Sequence, residues 1–280
     1  MQPETVIKIF RAESPLISII IPTMRTEEAL SPLLNDIHRQ TEKSLEVILA
    51  YRFSPSGRAR NAGAAASKGK CLVFMDDDIR LGDEKVLRNL CRALLEHPDV
   101  GLAGASTLIP PDANYFRRRV GRQIPRMIYP IQNEMTDSDM VTTQCWAQRR
   151  DCFDKVGPFT ELIERGVDPE YRHRVRRLGF RTIIAPQTWT YHPPPENFLE
   201  FVRQSYRNGR ASARAQKLHP HLVVPVPDSG IVKRTKDRSL IFRILRSLWK
   251  ILQGLVTLRW LQVCERLVYA YGYLRGKISV

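Results

Sequence analysis

Short β-branched apolar runs alternate with helix-spaced apolar residues through the first hundred or so positions. That alternation limits the chain to few folds. Residues 16–21 form an apolar run stopped by Pro22, the pattern of a buried strand. Leu30, Leu33, Leu34 and Ile37 then recur at i, i+3, i+4 and i+7, one face of a helix. The same reading predicts a strand over 45–50, an alanine-rich helix over 57–68, and strands over 71–75 and 100–105. Asp83 is placed to N-cap a helix whose apolar face is Leu87, Leu90, Cys91 and Leu94. Such alternation predicts an α/β fold, a mainly parallel sheet with helices on both faces. Ligands of these sheets bind beyond the carboxyl ends of strands, and the strand over 71–75 ends at Asp76-Asp77-Asp78.

The pattern lapses over residues 110–139, which read as a long loop with some helix. Structure returns over 141–148, followed by a helix over 169–178 closed by Gly179 and a strand over 181–185. A helix is predicted over 196–216, a proline-punctuated linker over 220–228 and a helical tail over 240–273. At 280 residues the chain is one large domain, or one domain with an appendage. Its five cysteines form no C-x-x-C pair, and an odd number does not suggest a disulfide framework, so reduced thiols in a cytosol are expected. Residues 1–14 show no apolar segment behind a basic cluster, so no secretory signal is expected. The longest apolar stretch, 251–263, is broken by Gln253, Gly254, Arg259 and Gln262, so no spanning helix is expected.

The net charge of +15 is unevenly placed. Residues 201–280 hold 16 of the Lys and Arg against three acids, which leaves about +2 for everything before them. A basic tail on a nearly neutral body implies an anionic partner for the tail, lipid or nucleic acid. No nucleic-acid reading motif accompanies the charge, and the basic excess sits among apolar helical residues, so nucleic acid is not the expected partner.

The aspartate run carries the first chemical signal. Clustered carboxylates repel one another and resist desolvation, so they need a cation or solvent. Carboxylate oxygens suit Mg²⁺ or Mn²⁺ together with a ligand's phosphates. A solvated acidic turn before a helix fits the spacing equally well. Upstream, GRARNAGAAASKGK over 57–70 reads by itself as an alanine-rich, small-residue helix. Taken together, ARNAGAAASKGKCLVFMDDD resembles the segment of family 2 inverting glycosyltransferases that reads roughly ARNxGxxxAxGxxxxFxDxD. ISIIIPT over 17–23 resembles that family's first strand, and the resemblance runs from about residue 14 to 209.

The resemblance implies a GT-A-like, Rossmann-like fold with C-terminal amphipathic helices added. It implies a nucleotide-sugar-binding half over 15–110 and an acceptor half over 111–219. Residues 1–14 are then an N-terminal extension, 220–238 a linker and 239–280 a basic helical tail. It also implies a Mn²⁺ or Mg²⁺ cofactor held by Asp76, Asp78 and His192. Donor contacts would come from Pro22, Thr23, Arg60, Asn61, Asp76, Asp77 and Arg207. The stretch over 148–192 is similar to the acceptor half, with Asp168 on the family's general base. Asp168 also precedes Pro169, the pattern of an N-cap with proline at N1. His192 reads equally as a hydrogen-bonded structural histidine, and Arg207 as part of a solvated basic face. Two positions depart from the pattern: Tyr51-Arg52-Phe53-Ser54 has no acid where the family has one, and Val167 replaces a glutamate.

The expected activity is metal-dependent sugar transfer with inversion, from a UDP-, GDP- or dTDP-sugar to a glycan or lipid-linked acceptor. The departures leave a catalytically impaired nucleotide-sugar-binding protein as the alternative. In the tail, Arg243, Arg246 and Lys250 line one side of a helix otherwise filled by apolar residues, with Trp249 and Trp260 among them. That arrangement suits a helix lying on an anionic membrane, and it suits equally a helical pair packed on the domain or in a homodimer. A cytoplasmic protein, peripheral on the inner face of the cell membrane, is the corresponding expectation.

Overall fold

The structure is a computed structural model that describes residues 3–124, 127–218 and 240–278. The linker expected over 220–238 lies outside the described residues.

The apolar runs form strands as their pattern requires. β1 (Thr5–Arg11) precedes β2 (Ile17–Thr23), α1 (Glu27–His38), β3 (Leu45–Tyr51), α2 (Ser56–Ala66) and β4 (Cys71–Met75). There follow β5 (Arg80–Leu81), α3 (Val86–Leu95), β6 (Val100–Leu108), α4 (Tyr115–Gln123), β7 (Thr136–Asp137), β8 (Cys145–Arg149) and α5 (Arg150–Val156). The chain then gives α6 (Val167–Arg177), β9 (Arg181–Tyr191), α7 (Phe198–Leu218), α8 (Leu240–Val256) and α9 (Trp260–Ile278).

One sheet runs in the order β1-β3-β2-β4-β8-β6-β9-β5, with β7 paired to β9. β3, β2 and β4 are parallel, as are β6 and β9, while β8 lies antiparallel between the two groups. β2 sits between β3 and β4, so the connections after β2 and after β4 leave in opposite directions. The crevice between their carboxyl ends is the switch point where open α/β sheets bind ligands.

Side chains alternate along each strand and build two apolar layers. On one face Ile19, Ile21, Val73 and Met75 pack with Leu30, Leu33 and Ile37 of α1 and Leu87, Leu90 and Leu94 of α3. On the other, Ile20, Leu72 and Phe74 pack with Ala64 of α2, Cys152 of α5 and Tyr171 and Val175 of α6. Phe159 and Tyr171 stack there with ring centroids 4.3 Å apart.

Several local expectations change. Thr5–Arg11, within the expected extension, pairs antiparallel with β3 at the sheet edge. Asp83 does not cap α3: its Oδ1 accepts from the Lys85 N–H, and the helix starts at Val86. The first turn of α3 is served instead by Gln40, whose Oε1 accepts from the Leu87 N–H. β9 outlasts the expected strand. Pro186, which lacks an N–H, and Gln187, with φ of 48°, interrupt the ladder; pairing resumes at Trp189 opposite Ser106. The tail is two helices, reversed at Leu258 with φ of 55°.

Candidate active site

β4 delivers the aspartate run into the crevice. The Asp76 N–H donates to the Gln144 carbonyl at 3.0 Å, beside the entry to β8. The chain turns back at once as β5, whose Arg80 and Leu81 pair with Tyr191 and Thr190 of β9. With Asp78 next along the chain, that antiparallel register, continued one step outward, sets Ile79 opposite the residue following β9. His192 occupies that place, its N–H donating to the Leu108 carbonyl at the end of β6 (2.9 Å). His192 Nε2 lies 3.5 Å from Asp78 Oδ1. One ligand atom each from Asp76, Asp78 and His192 lies within 4.8 Å of the others.

The electrostatics are those of a site short of positive charge. Burial pushes the Asp76 carboxyl up to about 6; Arg60 and His192 oppose the rise, and Asp78 and Asp168 add to it. Arg60 is buried, with Nη2 at 3.0 Å from Asp76 Oδ1 and its guanidinium carbon 5.9 Å from the Phe159 ring centroid. Its Nε has no partner among the described residues. Asp77 is engaged elsewhere: Thr23 Oγ1 donates to Oδ2 at 2.6 Å, and Arg25 Nε is 3.5 Å from Oδ1. The Thr23–Asp77 bond joins the ends of β2 and β4 across the switch point.

Two carboxylates and an imidazole fit a hard divalent cation such as Mn²⁺ or Mg²⁺ and leave positions for phosphate oxygens. A cation between Asp76 and Asp78 would offset the mutual repulsion that burial strengthens.

Asp168 lies near enough for its charge to add to the rise of the Asp76 carboxyl. The N-cap pattern at Asp168-Pro169 does not hold. α6 starts at Val167 after Gly166, whose φ of 84° is left-handed, so Asp168 lies in the first turn. Thr143 Oγ1 donates to Asp168 Oδ1 at 2.7 Å. Arg172, buried one turn further along α6, donates to the Val141 carbonyl and holds the segment that carries Thr143.

The structure thus gathers Asp76, Asp78, His192, Arg60 and Asp168, with Asp77, Thr23 and Pro22 along the crevice. Asn61 is committed elsewhere: its amide donates to the Phe159 carbonyl and Glu161 and accepts from the Phe159 N–H, tying α2 to the turn after α5. Arg207 is exposed on α7. Among the described residues no hydrogen bond or ion pair joins it to the aspartates. Its charge acts on Arg165, whose Nη1 donates to Asn208 at 2.5 Å.

Sequence reasoning missed four contributors: Arg25, Thr143, Gln144 and Asp36. Asp36 of α1 grips Arg80 through two bonds (2.6 and 2.9 Å) and accepts from the Leu81 N–H, which fixes β5 and hence Asp78. Its one visible signal is an acid beside the apolar face of α1. The other three have none, because each acts across the sheet.

Residues 3–211 match the sequence model of the family described as Glycosyltransferase like family 2. The chain belongs to that family. No curated protein matches it. Among solved structures it is similar to the mannosyltransferase PcManGT from Pyrobaculum calidifontis, in complex with GDP-Man and Mn²⁺. The TM-score is 0.62 at 12% identity, covering 94% of this chain and 87% of that one. It is also matched to S. aureus TarS 1–349, with a TM-score of 0.48 at 12% identity, covering 93% of this chain and 91% of that one. Family and fold together identify a GT-A glycosyltransferase fold.

Proposed function

We propose that this family 2 protein transfers a sugar, with inversion, from a nucleoside-diphosphate sugar to an acceptor hydroxyl. The supporting observation is the convergence of Asp76, Asp78 and His192 within 4.8 Å at the end of β4, with Asp168 in the same electrostatic field. Asp76, Asp78 and His192 would hold Mn²⁺ or Mg²⁺, which would supply positive charge for the diphosphate. Pro22, Thr23 and Asp77 line the nucleotide side of the crevice. Arg60 fixes Asp76, and Arg207 approaches the diphosphate from α7.

The acceptor oxygen bonds to the anomeric carbon as the bond from that carbon to the diphosphate oxygen breaks. The acceptor proton passes to the Asp168 carboxylate, and the nucleoside diphosphate carries away the electron pair. Thr143 already occupies Asp168 Oδ1, which leaves Oδ2 for the incoming proton. The acceptor is a glycan or lipid-linked hydroxyl. The PcManGT complex makes GDP-sugars the first donors to try.

Val167 favours the second reading, a donor-binding protein without turnover. It is buried in the apolar layer where the resemblance expects an acid. Asp168→Asn separates the two. Transfer predicts retained donor affinity, measured by calorimetry, and turnover lowered by about 10²- to 10⁴-fold. Wild-type binding with no turnover of any donor supports the binding protein.

A further inference from the structure

α8 carries an apolar face directed away from its neighbours. Leu245, Leu248, Trp249, Leu252, Leu255 and Val256 are spaced i, i+3, i+4, i+7, i+10 and i+11, one side of a helix. All six are between 52% and 76% exposed. Gly254, on the other side, meets α9 so closely that a Cβ there would come 2.8 Å from a Val263 methyl.

The face continues past the end of α8. The chain reverses through Leu258, 81% exposed, into Trp260 at the start of α9. That reversal is pinned: the Leu261 N–H donates to Gln123 Oε1 at the end of α4 (2.8 Å). Phe198 of α7 lies 5.9 Å from Trp260, ring to ring, and the Arg119 guanidinium of α4 lies 5.6 Å from the same indole. Three segments distant in sequence therefore meet in one apolar surface.

Its surroundings are mainly basic, with Glu196 and Glu200 beside Phe198 as the acidic exceptions. Residues 240–264 and 113–133 contain no Asp or Glu. Arg118, Arg122 and Arg259 are exposed at this end of the molecule. A second copy of the chain would bring like charge against like charge. Nucleic acid would match the arginines and leave the leucines in water. An anionic bilayer matches both, and tryptophan settles at headgroup depth. No described helix is long and apolar enough to cross a membrane.

We infer that this surface docks on an anionic lipid bilayer, with α8 lying in the interface and the Leu258 turn and Phe198 inserted beside it. Docking stands on the surface alone. One corollary rests on the proposed activity: Phe198 is six positions beyond His192, at most about 20 Å of chain, so the cleft lies near headgroups and takes its acceptor from the bilayer.

The test is flotation of the full chain, without donor or metal, on two vesicle types. One is phosphatidylcholine alone, the other phosphatidylcholine and phosphatidylglycerol in equal parts. The wild type is expected to float with the anionic vesicles and to be released by salt. Leu258→Glu and Trp249→Glu each lower the bound fraction about tenfold, with thermal unfolding and hydrolysis of a soluble donor unchanged. A wild type that stays with the soluble fraction overturns the inference, as does binding that both variants retain. A dimer dissociated by Leu258→Glu, with vesicle binding unaffected, assigns the face to a second copy instead. Donor binding is measured separately, so failure here leaves the transferase reading standing, and the converse.

Discussion

Thr143 shows how a residue without chemistry of its own conditions one that has it. Its hydroxyl donates to Asp168 Oδ1, and its segment is clamped by Arg172 at the Val141 carbonyl. A base gains from a fixed carboxylate because proton transfer demands hydrogen-bond reach in the transition state. Thr143→Val removes that bond and keeps the side-chain volume. The expected result is turnover lowered about tenfold with the donor KM unchanged, read by steady-state kinetics. A rise in donor KM with turnover intact would place Thr143 in donor binding instead. Asp76, Asp78, His192 and Asp168 could be picked out from the sequence because each sits in a motif with a fixed place in the chain. Thr143 and Arg25 could not, because each meets its partner only through the sheet order. Asn61 had motif support as well, and folding gave its amide to Phe159.

Elements meet at polar anchors as well as apolar faces. Glu46 of β3 is buried without exposure and accepts from Ser18 Oγ (2.7 Å), the Lys68 N–H (2.5 Å) and Lys8 Nζ (3.3 Å). It thereby joins β1, β2, β3 and the segment after α2. Burial would push its carboxyl up, but the Lys68 N–H, Ser18 and Lys8 outweigh burial and hold it below the ordinary glutamate value. A depressed folded pKa contributes stability that is complete above the unfolded value and lost as pH falls through the folded one. Glu46→Gln is expected to cost about 2 kcal/mol at neutral pH, with the gap to wild type closing in acid, measured by urea unfolding. A gap that is the same at both pH values would assign the loss to packing. β2, β3, β4, β6 and the helices between them were legible because each buries a regular face; the two-residue β5 was not. β1 was missed because Lys8 and Arg11 break its apolar pattern, and the second half of β9 because Pro186 and Gln187 interrupt its ladder. That second half is the part that delivers His192.

At the scale of the molecule, the C-terminal helices belong to the body that carries the site. α7 leaves the cleft after His192, and α9 lies along it so closely that a Cβ on Gly209 would come 2.1 Å from the Tyr269 carbonyl, and one on Gly272 2.3 Å from that of Tyr206. The tail's charge was plain in the sequence; its division into a packed α9 and an outward-facing α8 depended on these contacts. The proposed activity requires that donor bind at the Asp76–Asp78–His192 cluster with a divalent cation there. Ligand that binds only the folded state raises its melting temperature. The most direct measurement is the melting temperature of the wild type and Asp78→Ala with GDP-, UDP- and dTDP-sugars, each with Mn²⁺ and with chelator. A rise of several degrees is expected for at least one sugar in the wild type with Mn²⁺, and none with chelator or in Asp78→Ala. A donor-dependent rise that survives both chelation and Asp78→Ala would contradict it.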